Sequence, residues 1–191
     1  PTIESMLYTA PLVLENNATV KARTFWKDGI QSRVSSFTST KVSLTEPVAI
    51  ENPKPGLMVH YYEAEWESLP DFAQLKSLFS KISSEINLKL SPRTEDFGLV
   101  FEGFVKIPTD GVYTFSTTSD DGSKLSIDNR LIVSNDGLHG LREESGRIAL
   151  KAGFHRLRVE FFQKKGGLGL EVSMKGPGLE KQQIPRSLLF H

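Results

Sequence analysis

From Phe97 to Met174 the chain is a succession of short β-branched and aromatic runs, each closed by a cluster of Asp, Asn, Gly or Ser. Val100–Ile107 ends at Pro108-Thr109-Asp110-Gly111, and Val112–Thr118 ends at Ser119-Asp120-Asp121-Gly122-Ser123. Lys124–Ile127 runs into Asp128-Asn129-Arg130 and then Leu131-Ile132-Val133. Arg147–Leu150 leads into Lys151-Ala152-Gly153, His155–Phe162 alternates faces cleanly, and Leu168–Met174 follows. The runs favour a pleated, half-buried surface, and the clusters are turn chemistry. Strands this short, with turns between them, predict an all-β fold, an antiparallel β-sandwich.

Upstream, Gly56–Tyr62 reads as a further strand. Residues 66–82 carry Leu69, Phe72, Leu75, Leu78, Phe79 and Ile82, a spacing that predicts one or two short helical turns, with Leu69-Pro70-Asp71 as a start. Residues 45–55 hold three prolines and predict a stiff extended linker. Before them, Thr19–Trp26 and Val34–Phe37 read as strands, too few for an independent sandwich. The expected organisation is therefore a small, partial N-terminal β-appendage over 1–44, a linker over 45–55 and a main domain over 56–191. The first residue is Pro1, and the plainest expectation is a piece of a longer chain.

Charge narrows the partners. Lys plus Arg equals Asp plus Glu at 23 each, and the pI is about 7.4. A nucleic-acid binder ordinarily carries a basic patch and a high pI, so no nucleic-acid partner is expected. No apolar run is long enough to span a bilayer. There is no cysteine, which removes disulfides, thiolate metal sites and a Cys nucleophile.

Asp120-Asp121 is the sharpest chemical feature. Two carboxylates on a tight turn can offer hard oxygen ligands to one cation, with help from carbonyls or an amide, because Ca²⁺ takes 6–8 oxygens. The same residues are also ordinary turn formers, with Gly122 supplying the backbone freedom. Asn135-Asp136-Gly137-Leu138-His139-Gly140 reads either as a ligand-contacting loop or as a structural turn in which His139 bonds its own loop. His155 reads as a half-buried structural residue, and Trp26 and Trp66 as packing residues. No glycosidase carboxylate pair, nucleophile elbow or zinc-protease motif occurs; neighbouring aspartates cannot straddle a scissile bond. No catalysis is expected of this fragment.

In their order and spacing the motifs resemble the protective-antigen (PA-14) lectin-like domain family over roughly residues 56–190. The residues that carry the likeness are Gly56-Leu57 with Tyr61-Tyr62, Phe101-x-Gly103, Pro108-x-x-Gly111-x-Tyr113-x-Phe115 and Ser119–Ser123 with Leu125 and Ile127-Asp128. Asn135-x-Gly137-x-His139-Gly140, Leu150-x-x-Gly153-x-His155 and Glu160-Phe161-Phe162 complete it. Tyr8-Thr9-x-Pro11-Leu12 and Ala18–Arg23 resemble the end of a small module attached to secreted β-N-acetylhexosaminidases.

The resemblance implies a carbohydrate-binding module, and in the flocculins and adhesins of this fold a cis-linked aspartate pair holds Ca²⁺. Carried over, Asp120 and Asp121 are metal ligands. Gln163 stands for the family's third side-chain ligand, an asparagine, and is followed by Lys164-Lys165. Asp120, Asp121, Gln163, Asn135 and His139 are the expected glycan contacts. The implied partners are a glycan and the catalytic domain of a parent glycoside hydrolase, with the module itself a monomer in an extracytoplasmic setting. A spacer or active-site-shaping domain without sugar affinity, and an adhesin fragment, are the competing readings.

Overall fold

In the computed structural model, which describes residues 1–191, the chain falls into two units, Pro1–Ser43 and Leu44–His191. The first is built on one antiparallel pair, β1 (Ala18–Ala22) with β2 (Ser35–Ser39). Thr19 and Thr38 face each other and join through their hydroxyls at 3.0 Å. Beyond β1 the chain doubles back through Asp28-Gly29, where Gly29 takes φ +83° and the Asp28 carboxylate accepts the Ile30 N–H. Its large apolar residues stay on the surface, as a two-stranded ribbon cannot bury them.

The second unit is a two-sheet sandwich. The larger sheet orders β4 (Phe79–Ser83), β3 (Leu57–Glu63), β5 (Phe97–Ile107), β10 (Gly153–Gln163), β7 (Ser123–Ile127) and β8 (Arg130–Asn135). A short β13 (Leu189–Phe190) also pairs with β5. The smaller sheet orders β12 (Leu179–Gln183), β11 (Gly169–Gly176), β6 (Gly111–Asp120) and β9 (Arg142–Leu150). Every pairing is antiparallel.

Period-two alternation decides which faces meet. On β10, His155, Leu157, Val159 and Phe161 point inward and are fully buried, while Arg156, Arg158 and Glu160 point out. On β6, Tyr113 and Phe115 meet them from the other sheet within one continuous core. His155 is the polar exception. Its ring nitrogens face the Asp128 carboxylate at 2.7 Å and the Lys151 carbonyl at 2.9 Å, which satisfies it in place. Asp128 and Asn129, at φ +48° and +63°, form the two-residue hairpin between β7 and β8.

Two expectations are met only in part. Of residues 66–82, only Phe72–Gln74 makes a helical turn, a single 3₁₀ turn capped by the Asp71 carboxylate on the Ala73 N–H, with Phe72 packed against Tyr62 and Val100 of the sheet. The chain then extends into β4, because an unpaired edge of β3 lies alongside and Phe79 stacks on Tyr61 at 4.8 Å. The 45–55 segment, expected as a stiff extended linker, is part of the second unit. It is extended, as three prolines require, but an extended backbone still has N–H and C=O groups to pair. Thr45 exchanges bonds with Ala149 and Lys151, Val48 donates to Phe154, and Lys54 exchanges with His191.

Tyr61 gives the core a measurable signature. It is fully buried and its hydroxyl donates to Glu63 at 2.7 Å. Burial, then the Glu63 bond, pushes its phenol up to about 12. Burial also raises Tyr62 and Tyr113. An unfolded tyrosine ionises near 10, so between about pH 10 and 12 the unfolded chain releases this proton first. Stability is therefore whole below pH 10 and falls as pH rises through that window. Denaturant titrations at several alkaline pH values should show the loss, and Tyr61→Phe should shrink it; an unchanged slope in the variant would contradict the assignment.

Candidate functional site

β6 of the smaller sheet and β7 of the larger are joined by a short turn, Asp120-Asp121-Gly122, and the Asp120–Asp121 peptide is cis. Glycine is required at 122, since a Cβ there would overlap the Phe162 ring and stand 3.0 Å from the Gly137 nitrogen. The Gly122 carbonyl accepts the Phe162 N–H at 3.0 Å, which fastens the turn to β10.

The two carboxylates have different surroundings. Asp121 is 5% exposed, and its oxygens accept the His139 N–H at 3.2 Å and the Lys164 N–H at 2.9 Å. It thereby ties the 136–141 loop and the 164–168 loop to one turn. Asp120 is partly exposed, and none of the hydrogen bonds or ion pairs around the turn engages its carboxylate. Gly167 leaves room for it: a Cβ at 167 would overlap Asp120 Oδ2 and lie 3.1 Å from Cγ.

Gln163 is fully buried. Its Oε1 accepts the Asp121 N–H at 3.0 Å and its Nε2 donates to the Gly167 carbonyl at 2.6 Å. Asn135 is also fully buried: its Nδ2 donates to Ser119 Oγ and the Arg142 carbonyl, and its Oδ1 accepts from Arg142 Nε. Ser119, Ser123 and Thr117 hydroxyls link behind it at 2.7 and 2.9 Å. The expectation that Asn135 and Gln163 touch a ligand is therefore not met in this arrangement. Both brace the turn from inside, because both are fully buried and every polar atom they carry already has a hydrogen-bond partner. His139 turns its ring onto its own loop, Nδ1 to Gly140 O and Nε2 to Asn135 O.

Asp136, unremarked as a single residue in the sequence, anchors the neighbouring 64–70 segment. Its carboxylate accepts the Leu69 and Gly137 N–H groups and pairs with Lys124 at 2.7 Å. Burial pushes its carboxyl up, but the Lys124 bond and the two backbone donors outweigh this and leave it below the usual carboxylate range. Lys164 turns its ammonium to Glu67 at 3.2 Å, away from the aspartate pair. The signal that could have marked Asp136 is its place between Asn135 and Gly137 in a turn sequence.

No group of three or more His, Asp or Glu side chains converges anywhere in the chain. The oxygen donors at the turn are the two adjacent carboxylates, which suit a hard, oxygen-seeking cation. Gln163 Oε1, directed at an N–H, is not part of that set.

The profile of the PA14 domain family matches residues 53–187, and one described as Fn3 associated matches residues 1–39. A curated relative, a beta-hexosaminidase of Porphyromonas gingivalis, is 29% identical over 168 residues; the match takes in 83% of this chain but spans only 21% of the relative. A PA14 sugar-binding domain from an RTX adhesin superposes with a TM-score of 0.61 at 16% identity, covering 72% of this chain and 98% of that one. The epithelial adhesin 9 A domain of Candida glabrata, solved with Galβ1-4GlcNAc, superposes with a TM-score of 0.62 at 12% identity, covering 77% and 94%. No helix in the chain is long and apolar enough to cross a membrane. The PA14 match over residues 53–187, most of the chain, shows that this chain belongs to the PA14 domain family.

Proposed function

We propose that this chain is a non-catalytic carbohydrate-binding module of an extracytoplasmic glycan-processing enzyme, with its binding site at the Asp120–Asp121 turn. One observation carries the reading: two separate loops and the end of β10 are bonded to a single turn that leaves the Asp120 carboxylate partly exposed and unengaged. Buried effort of this kind, around a free charge at a sandwich end, suits ligand capture better than a plain turn. The adhesin A domain solved with a galactoside and the hexosaminidase relative support a glycan as ligand and a glycosidase as parent.

Asp120 and Asp121 would hold Ca²⁺, with Gln163 keeping Asp121 in place. Bound there, Ca²⁺ would supply a hard Lewis-acid centre that attracts sugar hydroxyls. Asp121 orients the flanking loops through its amide contacts, and Asp120 carries the outward charge. Neither is placed to protonate a glycosidic oxygen and activate water on opposite faces, so binding is the only chemistry proposed.

Calcium added to chelator-treated protein should raise the melting temperature. At ten times its dissociation constant the gain is about 1.4 kcal/mol, or roughly 3–5 °C for a domain of this size. Asp120→Asn should remove the rise without unfolding the protein, since its carboxylate supports nothing else. Retention on a glycan array should disappear with chelator. A flat melting curve together with an empty array would defeat the proposal.

A further inference from the structure

Around the aspartate pair the exposed apolar groups are leucines. Leu141 is 68% exposed, Leu138 48% and Leu168 41%. Strand register fixes Leu141: Arg142 pairs with Ser119 on one side of β6, and Gly169 pairs with Asp120 on the other. Leu141 thus stands next to Asp120, and its side chain reaches across to Gly169, where a Cβ would lie 2.9 Å from Leu141 Cδ1. Gly169 keeps that space open. Leu138 precedes His139, whose N–H binds Asp121, and Leu168 follows Gly167, over which Asp120 lies.

The aromatic side chains of this region are committed elsewhere. Phe162, beneath Gly122, is fully buried, and Trp66 packs edge-on against Phe72 at 5.7 Å. An aromatic plane stacks on the flat face of a pyranose. A branched aliphatic knob has no such plane, and its contact is strongest with another compact aliphatic group. Three leucines rimming a carboxylate pair form an apolar patch with a polar centre, the arrangement of a recognition surface.

We infer that Leu141, with Leu138 and Leu168 beside it, selects sugars that carry a methyl group next to the hydroxyls held at Asp120–Asp121. An acetamido sugar or a 6-deoxy sugar supplies that methyl. The inference rests on the carbohydrate-binding reading and adds the ligand class to it.

Nuclear magnetic resonance titrations in millimolar calcium chloride test it with matched pairs. N-acetylglucosamine against glucose isolates the acetamido group, and L-fucose against L-galactose isolates the 6-deoxy methyl. The methyl-bearing member of at least one pair, N-acetylglucosamine or L-fucose, should bind about fourfold or more tighter than its partner, the contact of one methyl group. Leu141→Ser should erase that preference and Leu168→Ser should weaken it; a preference for the partner without the methyl overturns the leucine role. Melting curves of both variants check that the fold is intact. Binding of all four sugars without preference, or a preference untouched by Leu141→Ser, overturns the leucine role and leaves the binding module standing. Failure of every sugar, including on a wider array, overturns the binding reading itself.

Discussion

Gly146→Ala should destabilise the sandwich by about 3 kcal/mol, near the top of the range for overpacking. Gly146 lies on β9, the edge of the smaller sheet, opposite Phe115 of β6. Its other side faces β8, the edge of the larger sheet. A methyl group at 146 would overlap the Ile132 carbonyl oxygen and stand 2.8 Å from its carbon and 3.0 Å from Ile132 Cγ2. The obstacle is backbone, so no rotamer change relieves it; two strands must separate where the sheets close on each other. A loss of that size lowers the melting temperature by roughly 6–12 °C. Gly140→Ala is the control, with nothing within 4 Å of its Cβ, and should stay within about 0.5 kcal/mol of wild type. Equal stability of the two variants would show that β8 and β9 do not approach as described.

How far the fold could be read from the residues depended on which strands bury a face. β10 alternates from His155 to Phe161 and β6 from Val112 to Phe115 because one side meets the core, and the turns at 108–111 and 119–123 announce themselves by Asp and Gly. β12, Leu-Glu-Lys-Gln-Gln, shows no alternation, since it pairs only with β11 and exposes most of its residues. The first half of β9, Arg-Glu-Glu-Ser, is polar for the same reason. Phe79 and Ile82 matched a helical spacing by accident of a short window, and pairing with β3 decided their state. At the site, the Asp120–Asp121 pair was legible because its chemistry is local. The roles of Asn135 and Gln163 were not. An amide that touches ligand and an amide that braces a turn look alike in sequence, and only burial on both sides separates them.

Gln163→Ala is expected to be as damaging as any substitution at the site, about 3–4 kcal/mol. It removes a fully buried side chain and leaves the buried Asp121 N–H without a partner, while the Gly167 carbonyl of the exposed loop loses its tether. The Asp121 N–H was taken from water on folding, so its loss carries a desolvation cost in addition to the cavity. Gln163→Glu separates the two functions of the amide. It retains an oxygen for the Asp121 N–H but sets a second oxygen against the Gly167 carbonyl, and it adds a negative charge beside Asp121. It should therefore destabilise the calcium-free protein and recover part of the loss when calcium is added, because a cation offsets the added charge. Gln163→Ala should show no such recovery beyond wild type. The measurement is thermal unfolding of both variants with chelator and with millimolar calcium. If Gln163→Ala melts with wild-type protein, the side chain is not the brace described here, and the 164–168 loop must be held by Lys164 and Asp121 alone.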